Sequence, residues 1–218
     1  MTTDIAWLNT PDPIDRTRFG AKASNLQLAS SLGATVAHGF CISASAVQLL
    51  ATSTAPTALV DTLQDAYGAL INMTGTPRVI LRSSSVLEDT RSHQFAGMFS
   101  SYHSLYSFDE ILQSIELSFL SSRRTSITPY FRRHRLDQRA THLSLMVQEE
   151  KACLHSATIY ADDNKIYCEI TKGGVSNTSL PPNNLFSFCI RRSATQWILE
   201  TPQSPHQEHQ TITLVSLK

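Results

Sequence analysis

The order of hydrophobic patterns constrains this chain most: helix-type spacing dominates its first part, and strand-type runs fill most of the remainder. Helices and strands segregated in this way define an α+β architecture, because a doubly wound parallel sheet needs the two to alternate. Apolar spacing predicts helices over residues 21–32, 43–51 and 57–73. Gly33 stands where a left-handed cap would end the first of them. A fourth helix has the clearest start, since Ser107 and Glu110 form an S-x-x-E capping box. Phe108, Ile111, Leu112, Ile115 and Phe119 then follow one helical face.

Residues 1–20 read as an extended lead-in restricted by Pro11 and Pro13, and residues 35–41 as a short strand. After a turn at residues 74–77, Val79-Ile80-Leu81 has the compact apolar character of a buried strand. Further strands are expected over 143–148, 157–160, 166–170, 186–190, 197–199 and 211–215, with an exposed loop at 201–210. A boundary near residues 139–142 divides the chain into a helix-rich subdomain, 1–140, and an antiparallel strand-rich subdomain, 141–218.

Composition removes several function classes. The 218 residues carry 18 Lys plus Arg against 18 Asp plus Glu, so the strong attraction to phosphate backbones that marks a dedicated nucleic-acid binder is missing. The basic cluster of Arg123, Arg124, Arg132, Arg133, His134, Arg135 and Arg139 reads as a solvated helix face or partner surface. No stretch approaches the roughly 20 apolar residues of a membrane span. The first fifteen residues lack the charge pattern and apolar run of a secretory signal. Cys41, Cys153, Cys168 and Cys189 form no C-x-x-C pair and read as free thiols, in keeping with a cytoplasmic protein.

Two segments carry chemistry. Gly20-Ala21-Lys22 joins a small-residue turn to a helix start, where unpaired backbone N–H groups and a lysine ammonium can meet a phosphate. The plainer alternative is a solvated lysine. Arg82-Ser83-Ser84-Ser85, followed by Glu88-Asp89, places a guanidinium fork and three hydroxyls at the end of the Val79 strand. Such donors suit an anion. An Arg82 ion pair with Glu88 or Asp89 that only shapes the loop is the alternative.

The run Arg82-Ser83-Ser84-Ser85 with Glu88-Asp89, then Gln94-Phe95-Ala96-Gly97-Met98, resembles the V-R-S-S-A-x-x-E-D and S-F-A-G-Q signature of a known ATP-binding domain. That domain opens pyruvate phosphate dikinase and phosphoenolpyruvate synthase. Gly20-Ala21-Lys22 is similar to its G-G-K, Val36-Ala37-His38-Gly39-Phe40 to its V-P-x-G-F, and Leu145-Met146-Val147-Gln148 to its V-V-V-Q. Tyr130-Phe131-Arg132-Arg133 falls where the family has a Y-R pair, so the likeness runs over roughly residues 14 to 200.

The resemblance implies an ATP-grasp-like site for ATP and Mg2+. Lys22 and Arg82 would contact the phosphates and act in catalysis, with Ser83, Glu88 and Asp89 around them. Ala96 and Gly97 would lie in the loop that closes over the phosphates. Gln148, Glu149 and Glu150 would form the hinge near adenine and ribose. In the family the phosphate passes to a histidine on a separate domain, and none of the eight histidines here resembles that acceptor.

Gly173-Gly174-Val175-Ser176 corresponds to the family's G-L-G-E with the carboxylate missing, and no L-Q-x-R strand follows before Lys218. Glu169 is the best remaining magnesium contact, with an exposed strand carboxylate as its alternative. The expectation is a nucleotide-binding lobe truncated at its carboxyl end, needing a protein partner or missing domain to supply metal carboxylates and the phosphate acceptor. The alternatives are a non-catalytic interaction protein of the same fold or one half of a split enzyme.

Overall fold

The computed structural model describes residues 3–52, 54–85, 101–123, 143–172, 185–192 and 197–200. They form two compact units, residues 1–151 and 152–218, each with its own sheet. The architecture is α+β, with four helices and antiparallel strand pairing throughout the described residues.

In the first unit, strands β1 (Ile5–Trp7), β2 (Gly39–Ile42), β3 (Val79–Ser85), β4 (Tyr102–Leu105) and β5 (Leu143–Glu149) form one sheet in the order β1-β2-β5-β3-β4. The sequence reading assigns β5 to the second part of the chain, yet it is the middle strand here. It pairs with β2 from Gly39↔Gln148 to Ile42↔Leu145, and with β3 from Val79↔Glu149 to Ser85↔Leu143. Both neighbours and both faces bury it, so all seven of its residues are buried.

Strand alternation gives the sheet two different faces. Phe40, Ile42, Val79, Leu81, Leu145 and Val147 point toward helices α2 (Ala44–Ala51), α3 (Thr57–Thr74) and α4 (Phe108–Ser122) and form the main core with them. Helix α3 contributes Leu59, Leu63, Ala66, Tyr67 and Leu70, and Gly75 ends it in the left-handed region at φ 69°. Helix α4 starts on the expected box, with Ser107 Oγ accepting the Glu110 N–H and the Glu110 carboxylate accepting the Ser107 N–H. The opposite face carries Cys41 and Met146 and packs against Phe19 and Ala23 of helix α1 (Arg16–Ser31).

Helix α1 begins earlier than the spacing predicts. Asp15 caps its first turn by accepting the Thr17 N–H at 2.8 Å, and Gly20 then breaks it with φ 83° and ψ 169°. The stretch from Ala21 is therefore a second helix start, as the residue pattern indicates. Its far end closes as expected, with Gly33 at φ 89° and paired bonds Gly33 N–H to Ser30 O and Ala34 N–H to Ala29 O.

The second unit is a meander of β6 (His155–Ala161), β7 (Lys165–Lys172), β8 (Leu185–Arg192) and β9 (Trp197–Glu200). Asp162 shapes its first hairpin, its carboxylate accepting the N–H groups of Asn164 and Lys165 at 2.8 and 2.7 Å. The strand expected over 211–215 and the loop at 201–210 lie outside the described residues.

Candidate functional site

Both predicted phosphate-binding cations lie against the same strand. Arg82 faces Met146 across the β3–β5 pair, and Met146 packs with Phe19 and Ala23, so Arg82 stands on the α1 side of the sheet. Its guanidinium donates to the Gln148 side-chain oxygen at 3.3 Å, and Gln148 in turn donates to the Ala37 carbonyl at 3.3 Å. Lys22, in the first turn after the Gly20 break, donates from Nζ to the Ser83 carbonyl at 2.8 Å. Lys22 is thus anchored at Ser83 of β3, the residue next to Arg82, whose guanidinium reaches Gln148 of β5. Both cations are half-buried, which weakens screening by water and strengthens their pull on an anion.

The three serines after Arg82 are buried rather than displayed. The Ser84 hydroxyl accepts the Ala23 N–H at 3.1 Å and donates to the Phe19 carbonyl at 2.8 Å. Ser144 donates to the Ser84 carbonyl from the neighbouring strand. This corrects the expectation of helix-start N–H groups left open for a ligand, because Ser84 already takes the one from Ala23.

The hinge residues divide between the two sides of the sheet. Gln148 lies with Arg82, as described. Glu149 is buried on the other face, where its carboxylate accepts the His38 N–H at 3.0 Å and pairs with Lys151 at 3.3 Å. Glu150 closes a cluster that sequence reasoning missed. It accepts from Arg78 Nε at 3.1 Å and from the Ser104 N–H at 2.6 Å, and it pairs with His103 Nδ1 at 3.1 Å. Ser104 reaches it from a left-handed conformation, φ 56°, which is costly for a non-glycine residue. The two residues are 46 positions apart, and no local signal links them. The Arg78–Glu150 opposition was legible only once β3 and β5 were known to pair.

Burial would raise the Glu150 pKa, but hydrogen bonds from Arg78, Ser104 and His103 outweigh it and hold the carboxyl below its ordinary value. The folded-state pKa is therefore lower than the unfolded one. The contribution to stability is complete above the ordinary glutamate value, about 4.3, and is lost as pH falls through the folded value. Urea unfolding of the wild type should show this loss on acidification below about pH 4, and Glu150→Gln should flatten that part of the profile.

His38 Nδ1 is buried with no hydrogen-bond partner among the described residues, and its main-chain N–H donates to the Glu149 carboxylate. Glu169 stands on β7 between Thr158 and Ser187, and among the described residues no group of three or more His, Cys, Asp or Glu is placed to hold a metal. Glu88, Asp89, Ala96, Gly97 and the Gly173–Ser176 stretch lie outside the described residues. All four cysteines are free, and burial pushes the Cys41 and Cys168 thiols up, away from reactive thiolate. No helix among the described residues is long and apolar enough to cross a membrane.

Residues 46–152 match the family model of the pyruvate phosphate dikinase AMP/ATP-binding domain. The matched segment contains Arg82, Ser83 and Gln148 to Glu150; Lys22 and helix α1 precede it. No curated protein matches the chain.

Proposed function

We propose that this chain binds ATP in the cytoplasm and holds its phosphates with Lys22 and Arg82 for transfer to an acceptor on a partner domain or substrate. The observation that carries the reading is that Lys22, from helix α1, bonds the β3 residue next to Arg82, whose side chain lies on the α1 side of the sheet. The family match supports a nucleotide as the anion.

Register adds a direction. Gln148 pairs with Ile80, and Lys22 is fixed at Ser83, three residues further along β3. At about 3.3 Å per residue the two points are roughly 10 Å apart, suited to an elongated ligand lying along the strand. The ligand would then run from Lys22 at one end to the Arg82 guanidinium beside Gln148 at the other. Ser83, Glu88, Asp89, Ala96 and Gly97 belong to the same reading as lining residues. Phosphoryl transfer depends chiefly on positioning and charge neutralisation, and two fixed cations contribute to both. Magnesium would accompany the nucleotide, neutralising phosphate charge.

A ligand that binds only the folded state raises its stability by RT ln(1 + [L]/Kd), about 2.7 kcal/mol at one hundred times Kd. Saturating ATP should therefore raise the thermal midpoint by several degrees, with inorganic phosphate giving much less. An unchanged midpoint across the whole ATP range would contradict nucleotide binding.

A non-catalytic interaction role is the second reading. It is favoured by the commitment of the Glu149 and Glu150 carboxylates to His38, Lys151, Arg78, His103 and Ser104. Under that reading ATP stabilises the chain but no phosphate is transferred when candidate partners are added.

A further inference from the structure

Helix α1 restarts immediately after Gly20, and the N–H groups of a new first turn have no acceptor within the helix. A residue just before the turn usually supplies one. Here the acceptor comes from 61 positions away: the Ser84 hydroxyl takes the Ala23 N–H at 3.1 Å. The same hydroxyl donates to the Phe19 carbonyl at 2.8 Å, so one oxygen ties down the chain on both sides of the Gly20 break. Ser84 is fully buried, and its own carbonyl is held from β5 by Ser144. Lys22 lies between the break and Ala23, with its ammonium on the carbonyl of Ser83.

We propose that Ser84 is a positioning residue for the phosphate site, acting as a helix cap supplied in trans that fixes Lys22 beside Arg82. Its functional meaning rests on the nucleotide reading given above, and Ser84 itself need not touch the ligand. The cap converts a backbone break, which would otherwise let Lys22 swing, into a fixed point on the strand that carries Arg82. Ser83 and Ser84 thereby divide the work, one supplying a carbonyl to the lysine and the other a hydroxyl to its helix.

Ser144→Ala provides the control, because it removes a buried hydroxyl from the same cluster without touching the Ala23 N–H. Two readouts are compared in wild type, Ser84→Ala and Ser144→Ala, at a temperature where all are folded. The first is the rate at which an amine-acylating reagent modifies Lys22 without nucleotide, read by mass spectrometry. The second is ATP affinity by calorimetry. Ser84→Ala should speed Lys22 modification severalfold and weaken ATP binding about tenfold, the scale of a lost cap. Ser144→Ala should lower the thermal midpoint but leave both readouts within about twofold of wild type. Lys22→Ala should cost less affinity in the Ser84→Ala background than alone, since the two changes act through one contact.

The proposal is overturned if Ser84→Ala leaves Lys22 reactivity unchanged, or if both serine variants alter the two readouts equally. If the wild type binds no ATP, the nucleotide reading fails, while the modification rates still decide whether Ser84 positions Lys22. Should Ser84→Ala not fold, Ser84→Cys, whose sulfur is a weak acceptor, is read by the same criteria.

Discussion

Replacing Gly20 with alanine should destabilise the first unit by about 2–6 kcal/mol. Two costs add. The backbone at φ 83° lies where an L side chain is strained, which costs on the order of 1–3 kcal/mol. The new Cβ would also overlap the Ser84 carbonyl, a main-chain atom fixed by sheet pairing, and forced overlap typically costs a further 1–3 kcal/mol. Urea denaturation followed by circular dichroism measures the sum. Gly33 gives the comparison: its φ is also positive, at 89°, but a Cβ there meets nothing within 4 Å. Gly33→Ala should therefore cost only the backbone part. Equal costs at the two positions would show that helix α1 does not approach β3 as closely as described.

Arg82→Ala should weaken ATP binding by about 10- to 150-fold, the range for losing a charge-assisted hydrogen bond of roughly 1.5–3 kcal/mol. Arg82→Lys should recover only part of this, because an ammonium keeps the charge but not the planar fork. Alanine also deprives the buried Gln148 oxygen of the guanidinium, so a modest loss of stability, about 1–2 kcal/mol, should accompany the affinity loss. Calorimetric titration of the folded variants separates the two effects. Affinity within twofold of wild type in Arg82→Ala would remove this residue from the ligand.

The sequence made the local features readable. The Ser107 box, the Gly33 and Gly75 helix ends and the buried Val79 strand all depend on residues within one or two turns of each other. The restart of α1 after Gly20 was legible for the same reason, although the turn before it, capped by Asp15, was not. What stayed hidden depends on pairing between distant segments. Strand β5 is central because β2 and β3 flank it, and its alternating Ser144, Met146 and Gln148 give no hint of that position. The short strand β4 pairs with β3, and Glu150 bonds its His103 and Ser104 from the end of β5. At the site, Lys22 and Arg82 were recognisable singly from residue type and motif. The contacts that tie Lys22 to Ser83 and Ala23 to Ser84, and so bring helix α1 to the strand of Arg82, span 61 residues.

The central claim is that Lys22 and Arg82 serve a single ligand. A backbone amide NMR titration of the chain with ATP and magnesium tests it most directly. Saturable shifts are expected together at Lys22, Ala23, Arg82, Ser83 and Gln148, with one common affinity. Saturating ATP that moved the Lys22 and Arg82 regions with different affinities, or moved neither, would contradict the claim.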